Sequence, residues 1–80
     1  NKIEKFLKKL EKKQLYAILL VMRQLKRDRR QVPGIIPLQG KKNWYRVRVG
    51  RYRILFEIMS DETILFRALA KRDDRTYKNL

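Results

Sequence analysis

A run of basic residues in the middle of the chain contains the side chains best suited to chemistry. Between Lys41 and Arg53 the sequence has Lys or Arg at six positions and no carboxylate. These residues are Lys41, Lys42, Arg46, Arg48, Arg51 and Arg53. Arginine presents fixed N–H donors to phosphate oxygens, so several arginines held together can grip a phosphodiester and stabilise the charge that develops on it.

The end of the chain adds further cations and one side chain that can exchange a proton. The cations are Lys71, Arg72, Arg75 and Lys78. Tyr77 lies among them, and nearby positive charge favours the ionised form of a phenol. The alternative interpretation is a surface tyrosine on a frayed terminus.

The absence of Cys and His narrows the chemistry. It excludes Ser-His-Asp and Cys-His hydrolases, disulfide frameworks and most zinc, haem and iron–sulfur sites, so we expect no metal and no cofactor. Any general acid or base must therefore come from Arg, Lys, Tyr or a carboxylate. Glu57 lies near the central arginines, and we interpret it as an ion-pair partner in preference to a general base.

Length and charge set the class of protein and of partner. Eighty residues are enough for one small domain, and 44% hydrophobic content supports a folded core. The formal charge of +14 predicts a polyanionic partner, nucleic acid first, with an acidic protein or an anionic membrane as alternatives. The longest apolar run, Tyr16 to Met22, is too short to cross a membrane, and no secretory signal is evident, so we expect a cytoplasmic protein.

The first 30 residues have the apolar period of helices. One set comprises Ile3, Phe6, Leu7 and Leu10, and a second comprises Leu15, Ile18, Leu19, Met22 and Leu25. The second stripe is rotated by roughly 100° from the first, which favours two helices that meet near residues 11–14 and form an antiparallel hairpin. One bent helix is the alternative. Pro33-Gly34 ends the helical region, and residues 35–38 read as a short edge strand.

From Trp44 onward the period changes to two, which predicts a β-hairpin. Gly50-Arg51 suits a type II′ turn, because Gly accepts a positive φ at its first position. That turn sets Val49 opposite Tyr52, Val47 opposite Ile54 and Tyr45 opposite Phe56, on one apolar face. The other side, which we call the arginine face, carries Arg46, Arg48 and Arg53, with Trp44 and Glu57 by parity.

A third strand is predicted over residues 63–70, after a turn at residues 60–62. In this register Ile64, Phe66 and Ala68 join the apolar face. Arg67, Leu65 and Leu69 fall on the arginine face, and residues 71–80 leave the sheet as a polar tail. The predicted fold class is α+β, with an N-terminal helical hairpin packed on one face of a small antiparallel sheet.

At this point the chain resembles the RelE/ParE toxin superfamily. Leu38-Gln39-Gly40 and the segment from Tyr45 to Ile58 resemble its central signature, and Lys71 to Tyr77 resembles its terminal basic segment with a tyrosine. The helical start around residues 6–10 also fits. The resemblance spans nearly the whole chain and is most specific in its middle third.

The resemblance implies a toxin of a type II toxin–antitoxin module. RelE-type members are ribosome-dependent endoribonucleases that cut messenger RNA in the decoding site without a metal. The family pattern implies catalytic roles for Arg46, Arg48, Arg53, Arg72 and Tyr77, with Arg75 as the competitor of Arg72. Expected RNA contacts are Lys41, Lys42, Trp44, Arg51, Arg67, Lys71, Arg75 and Lys78.

An acidic antitoxin is the protein partner that the resemblance implies. Such a partner is expected to pair its carboxylates with the arginine face and to cover Leu65 and Leu69. Two departures from the family are visible: the chain starts almost at the first helix, where relatives begin with a β-strand, and no His precedes Tyr77. An inhibitor of DNA gyrase like ParE, without nuclease activity, is the alternative function, and an inactive nucleic-acid-binding module is a third.

Overall fold

Two helices open the chain. In the computed structural model, which describes residues 1–71, α1 spans Lys2–Lys8 and α2 spans Lys12–Asp28. The Asn1 side chain caps α1 by accepting a hydrogen bond of 3.0 Å from the Glu4 backbone N–H. The prediction of two helices is confirmed. The break lies at residues 9–11, slightly before the predicted position, with Glu11 as the extended residue preceding α2.

The end of α2 is followed by a short 3₁₀ helix, Arg29–Gln31. The Asp28 side chain accepts a 3.2 Å hydrogen bond from the Arg30 backbone N–H, and the same carboxylate pairs with the Arg30 guanidinium. Gly34 then adopts a φ of +79°, which lets the chain turn back toward the sheet. No helix among residues 1–71 is long and apolar enough to cross a membrane.

Within residues 1–71, the sheet has four antiparallel strands in the order β1-β2-β3-β4. They span Ile36–Pro37, Trp44–Val49, Tyr52–Ile58 and Ile64–Lys71, and the predicted edge strand is therefore present as β1. The hairpin register is as predicted: Val49 pairs with Tyr52, and Arg48 pairs with Arg53. Gly50 begins the connection with a φ of +59°, the conformation for which the turn requires glycine.

Strand β4 departs from the predicted register at a β-bulge. Phe66 lies opposite Phe56, but Ala68, not Arg67, lies opposite Leu55. One extra residue in β4 reverses the parity of everything after it. The prediction that Ala68 joins the apolar face and Leu69 the arginine face is therefore wrong, since Leu69 pairs with Ile54 and packs against the core.

The end of β4 also differs from the prediction. Lys71 still belongs to the strand and lies opposite Tyr52, whereas the polar tail was expected to leave the sheet at this residue. The parity that the bulge sets places Lys71 with Tyr52, on the side of the sheet away from the arginines.

A tight turn joins β3 to β4. The Asp61 carboxylate accepts hydrogen bonds from the Thr63 hydroxyl at 2.6 Å and from the Thr63 backbone N–H at 3.1 Å, and these bonds lower the pKa of Asp61 below its ordinary value of 3.8. Glu62 has a φ of +72°, and its carboxylate reaches the Arg29 guanidinium at 3.2 Å. The turn is thus tied to the end of α2.

The core lies between the helices and the apolar face of the sheet. Ile18 and Leu25 of α2 form a buried cluster with Val47, Ile54 and Phe56 of the strands. The Phe6 ring of α1 meets the Tyr52 ring edge-on, with centroids 5.8 Å apart. Because both helices pack on this side, the arginine face is turned away from them.

Candidate nucleic-acid interface

Three arginines share the side of the sheet opposite the core. Arg46 and Arg48 alternate with buried Val47 in β2, and Arg53 precedes buried Ile54 in β3. Arg48 lies directly opposite Arg53, and Arg46 lies opposite Leu55. The period of two along each strand puts all three on the arginine face, as the sequence predicted. Like charges directly opposite each other destabilise a sheet, so this arrangement suits a surface that meets an anion.

The flank of this face carries an ordered cluster built around Trp44. The Lys41 ammonium lies 4.4 Å from the centre of the Trp44 ring, and the Arg67 guanidinium carbon lies 5.3 Å from it. Arg67 also donates two hydrogen bonds to Glu57 Oε1, of 2.5 Å from Nη2 and 3.0 Å from Nε. Trp44 and Glu57 are themselves opposite each other across β2 and β3. The cluster holds Arg67 in place at the bulge.

This cluster decides between interpretations of two residues. Trp44 was expected to stack on either a base or a guanidinium, and the structure shows it against Arg67 and Lys41. Glu57 was interpreted as an ion-pair partner in preference to a general base. In the structure its carboxylate accepts two hydrogen bonds from the Arg67 guanidinium, which is the ion pair that this interpretation expects.

Sequence reasoning missed the apolar floor of the arginine face. Leu55 is 0% exposed and Ala70 is 3% exposed, although both lie on this face and Leu55 stands outside the cluster between sheet and helices. Alternation alone predicts a solvent-facing position for Leu55. The sequence did contain a pattern that indicates burial of Leu55: it lies between Ile54 and Phe56 in the middle of its strand. A continuous apolar run of this kind is typical of a strand buried on both faces.

Several predicted contact residues lie away from the three arginines. Arg51 sits at the hairpin turn and lines a cleft with Lys13 and Tyr52, on the helix side. Lys71 pairs with Tyr52 on that side too. Lys42 is exposed in the loop before β2.

Leu65 is on the arginine face as predicted, opposite Glu57 and 42% exposed.

The remaining predicted residues lie outside the described part of the chain. They are Arg72, Arg75, Tyr77 and Lys78. Within residues 1–71, no cluster of three or more His, Cys, Asp or Glu side chains is arranged to hold a metal ion. The described site is therefore a set of guanidinium and ammonium groups on one face of a sheet, with Glu57 as the carboxylate beside them.

Comparisons with known proteins place this arrangement in a family. No curated protein sequence matches the chain. Among solved structures, the chain is similar to one from the RelB-RelE antitoxin-toxin complex of Methanococcus jannaschii, with a TM-score of 0.74 and 28% identity over 98% of this chain and 92% of that chain. A family model described as "ParE toxin of type II toxin-antitoxin system, parDE" matches residues 2–75, nearly the full length. With this match and the fold shared with a RelE structure, the chain belongs to the ParE toxin family of type II toxin–antitoxin systems, within the RelE/ParE superfamily.

Proposed function

We propose that this toxin is a metal-independent endoribonuclease that cuts messenger RNA on the ribosome and is neutralised by a cognate acidic antitoxin. The observation that carries the proposal is the position of Arg46, Arg48 and Arg53 on one side of adjacent strands, opposite the helices. The likeness to a RelE structure, which comes from an antitoxin–toxin complex, supports both the activity and the partner.

The proposed reaction uses the RNA's own 2′-hydroxyl as nucleophile. The 2′-oxygen forms a bond to phosphorus and the 5′-oxygen leaves, so the products are a 2′,3′-cyclic phosphate and a 5′-hydroxyl. The arginines donate hydrogen bonds to the phosphate oxygens as negative charge builds on them. Arg72 adds a further guanidinium, with Arg75 as its competitor. Tyr77 stacks on the base or takes the 2′ proton, and a proton returns to the 5′-oxygen.

RNA contacts outside the reacting phosphate are proposed on the same side of the sheet. Lys41, held against Trp44, presents positive charge at the flank, and Lys42 extends it into the loop. Arg67 lies beside Lys41 and can contact RNA when it leaves its ion pair with Glu57. Arg75 and Lys78 are proposed to contact the backbone from the end of the chain. Arg51 and Lys71 lie on the other side, and we therefore leave them out of the proposed contact set.

Primer extension on ribosome-bound messenger RNA tests this proposal. We expect Arg53→Ala to lower the cleavage rate by about 10²–10³-fold, since a single preorganised donor to a developing oxyanion contributes that much. Tyr77→Phe is expected to slow cleavage as well. Arg27→Ala, which removes an exposed cation from α2, is the matched control and should cut like the wild type. Equal cleavage by all variants would refute the site, and no cleavage by the wild type would refute the reaction class.

A second candidate function is inhibition of DNA gyrase without nuclease activity. The family model that matches residues 2–75 is that of ParE toxins, which favours this candidate. A supercoiling assay with purified gyrase separates the two. Inhibition of gyrase together with intact messenger RNA would establish the second candidate in place of the first.

A further inference from the structure

The outer side of α2 carries an apolar stripe that the fold does not cover. Tyr16 is 65% exposed, Leu20 is 58% exposed and Leu19 is 41% exposed. Ile18 and Leu25 of the same helix are 1% exposed and pack on the sheet. At 3.6 residues per turn, Tyr16 and Leu20 lie on the side of the helix opposite to that buried pair, and Leu19 lies at the edge of the same exposed side. Solvent-facing helix positions are usually polar, so this stripe is suited to contact another molecule.

Charge around the stripe indicates the kind of molecule. Between residues 12 and 27, α2 has Lys or Arg at five positions and Asp or Glu at none. Lys12 and Lys13 precede Tyr16 by one turn, and Arg23 follows Leu19 and Leu20 by one turn. A second copy of this chain would bring the same cations against each other, whereas an acidic partner would pair with them.

A cleft beside the stripe offers an anchoring point. Its volume is about 260 Å³, and it lies between α2 and the β2–β3 turn, lined by Lys13, Gln14, Ala17 and residues 49–52. The Gln14 side-chain oxygen is buried there and receives no hydrogen bond within the described part of the chain. The apolar lining from Ala17, Val49 and Tyr52 fits one apolar side chain.

We propose that Tyr16, Leu19, Leu20 and the adjoining cleft form the docking surface for an acidic amphipathic helix of a partner protein. The apolar face of that helix packs along the stripe, and one of its apolar side chains enters the cleft. Its carboxylates pair with Lys12, Lys13 and Arg23. This surface lies across the core from Arg48 and Arg53. A partner bound to it leaves the arginine face open, in contrast to the expectation that an antitoxin covers the arginines. The proposal does not depend on the nuclease activity.

Calorimetry with a defined peptide tests the surface. The probe is a synthetic helix of about three heptads with Leu at a and d and Glu at the flanking positions, and its control is a scrambled peptide of the same composition. We expect Leu20→Ser and Tyr16→Ser each to weaken binding by about tenfold, as for a central interface contact. Leu65→Ser is the matched control, because Leu65 is an equally apolar, 42% exposed residue on the opposite face, and it should bind like the wild type.

Three outcomes would overturn the proposal. Equal affinity for the ordered and scrambled peptides would mean that charge alone attracts the probe. Loss of binding in Arg48→Ala, with Leu20→Ser unaffected, would place the partner on the arginine face. A concentration-dependent dimer in ultracentrifugation that Leu20→Ser dissolves would make a second copy the occupant. Messenger RNA cleavage is measured in parallel: peptide binding without cleavage refutes the nuclease alone, and cleavage without ordered-peptide binding refutes the docking surface alone.

Discussion

Arg48 and Arg53 face each other across neighbouring strands, where two cations repel. The sheet tolerates the pair because the flanking residues Val47 and Ile54 are buried on the other side and fix both strands. At the flank of the same face, Glu57 holds Arg67 by two hydrogen bonds while Trp44 lies against the guanidinium. Glu57 therefore restrains a cation that would otherwise be available to a phosphate.

Glu57→Gln is expected to strengthen binding of single-stranded RNA. The substitution removes one negative charge from the arginine face and releases Arg67 for a phosphate contact. The slope of log K against log salt should steepen by about 0.7, the value for one added contact to a single strand. Fluorescence anisotropy with a labelled oligouridylate measures both quantities. Glu4→Gln, on α1, makes the same change in net charge, and an identical effect of the two variants would contradict the role of Glu57.

For individual residues, the sequence predicted which side of the sheet each position of the hairpin takes, because turn type and parity together determine register. Trp44, Arg46 and Glu57 are examples. It did not predict that Lys41 and Arg67 both lie against Trp44, or that Leu55 is buried among the arginines. Those features depend on how loops and long side chains pack in three dimensions, which spacing along the chain does not encode.

At the scale of the elements, apolar periodicity and turn residues predicted both helices and the hairpin of β2 and β3. They did not predict the register of β4 after residue 66. A period of two continued from Ile64 predicts Ala68 on the core side, yet the bulge gives that place to Leu69. Burying Leu69 in place of Ala68 removes more apolar surface from water, so packing against the core overrides simple alternation. The break between the helices lies at residues 9–11, a little before the predicted position, because no Gly or Pro marks it in the sequence.

Gly50→Ala is expected to destabilise the hairpin through backbone strain alone. Gly50 has a φ of +59°, and a Cβ added there meets nothing within 4 Å. An L-residue in a left-handed conformation costs about 1–2 kcal/mol, which urea denaturation followed by circular dichroism can measure. D-alanine at position 50, introduced by chemical synthesis, is the matched control and should leave the free energy of unfolding near that of the wild type. A similar loss with both isomers would mean that side-chain contact, and not φ, is responsible.

The β3–β4 turn is expected to contribute to acid sensitivity. Hydrogen bonds from Thr63 hold the pKa of Asp61 below its ordinary value of 3.8, so ionised Asp61 stabilises the folded chain above about that pH. This contribution is lost as the pH falls through the lowered value. Asp61→Asn should therefore flatten the decline in melting temperature between about pH 4 and pH 2. Parallel declines for wild type and variant would show that the turn carboxylate is not coupled to folding.

The whole molecule concentrates a formal charge of +14 in extents of 33 × 28 × 23 Å. Charges on one compact body repel, and this repulsion opposes folding. The core that resists it is small, with Ile18, Leu25, Val47, Ile54 and Phe56 as its buried cluster. From composition alone the sequence predicted a polyanionic partner, but not that three cations of α2 flank an exposed apolar stripe.

Added salt is expected to raise the melting temperature of the free protein. Between about 0.01 M and 0.1 M NaCl the Debye length falls from about 30 Å, comparable to the molecule, to about 10 Å, so repulsion across the fold is screened. Circular dichroism melts across this range measure the effect. Sucrose at matched osmolality controls for changes in solvent, and a melting temperature that does not respond to NaCl would show that self-repulsion is unimportant.

The bulge in β4 also bears on which sequence changes this fold can accept. Before it, even-numbered residues such as Ile64 and Phe66 point inward; after it, odd-numbered Leu69 does. Deleting Arg67, the extra residue of the bulge, would straighten the strand and keep Leu69 inside, but it would remove the side chain that Glu57 and Trp44 hold. Inserting one residue between Arg67 and Leu69 would shift the register by one and turn Leu69 outward. Length variation among homologous toxins should therefore avoid this strand and gather in the polar loop at residues 39–43.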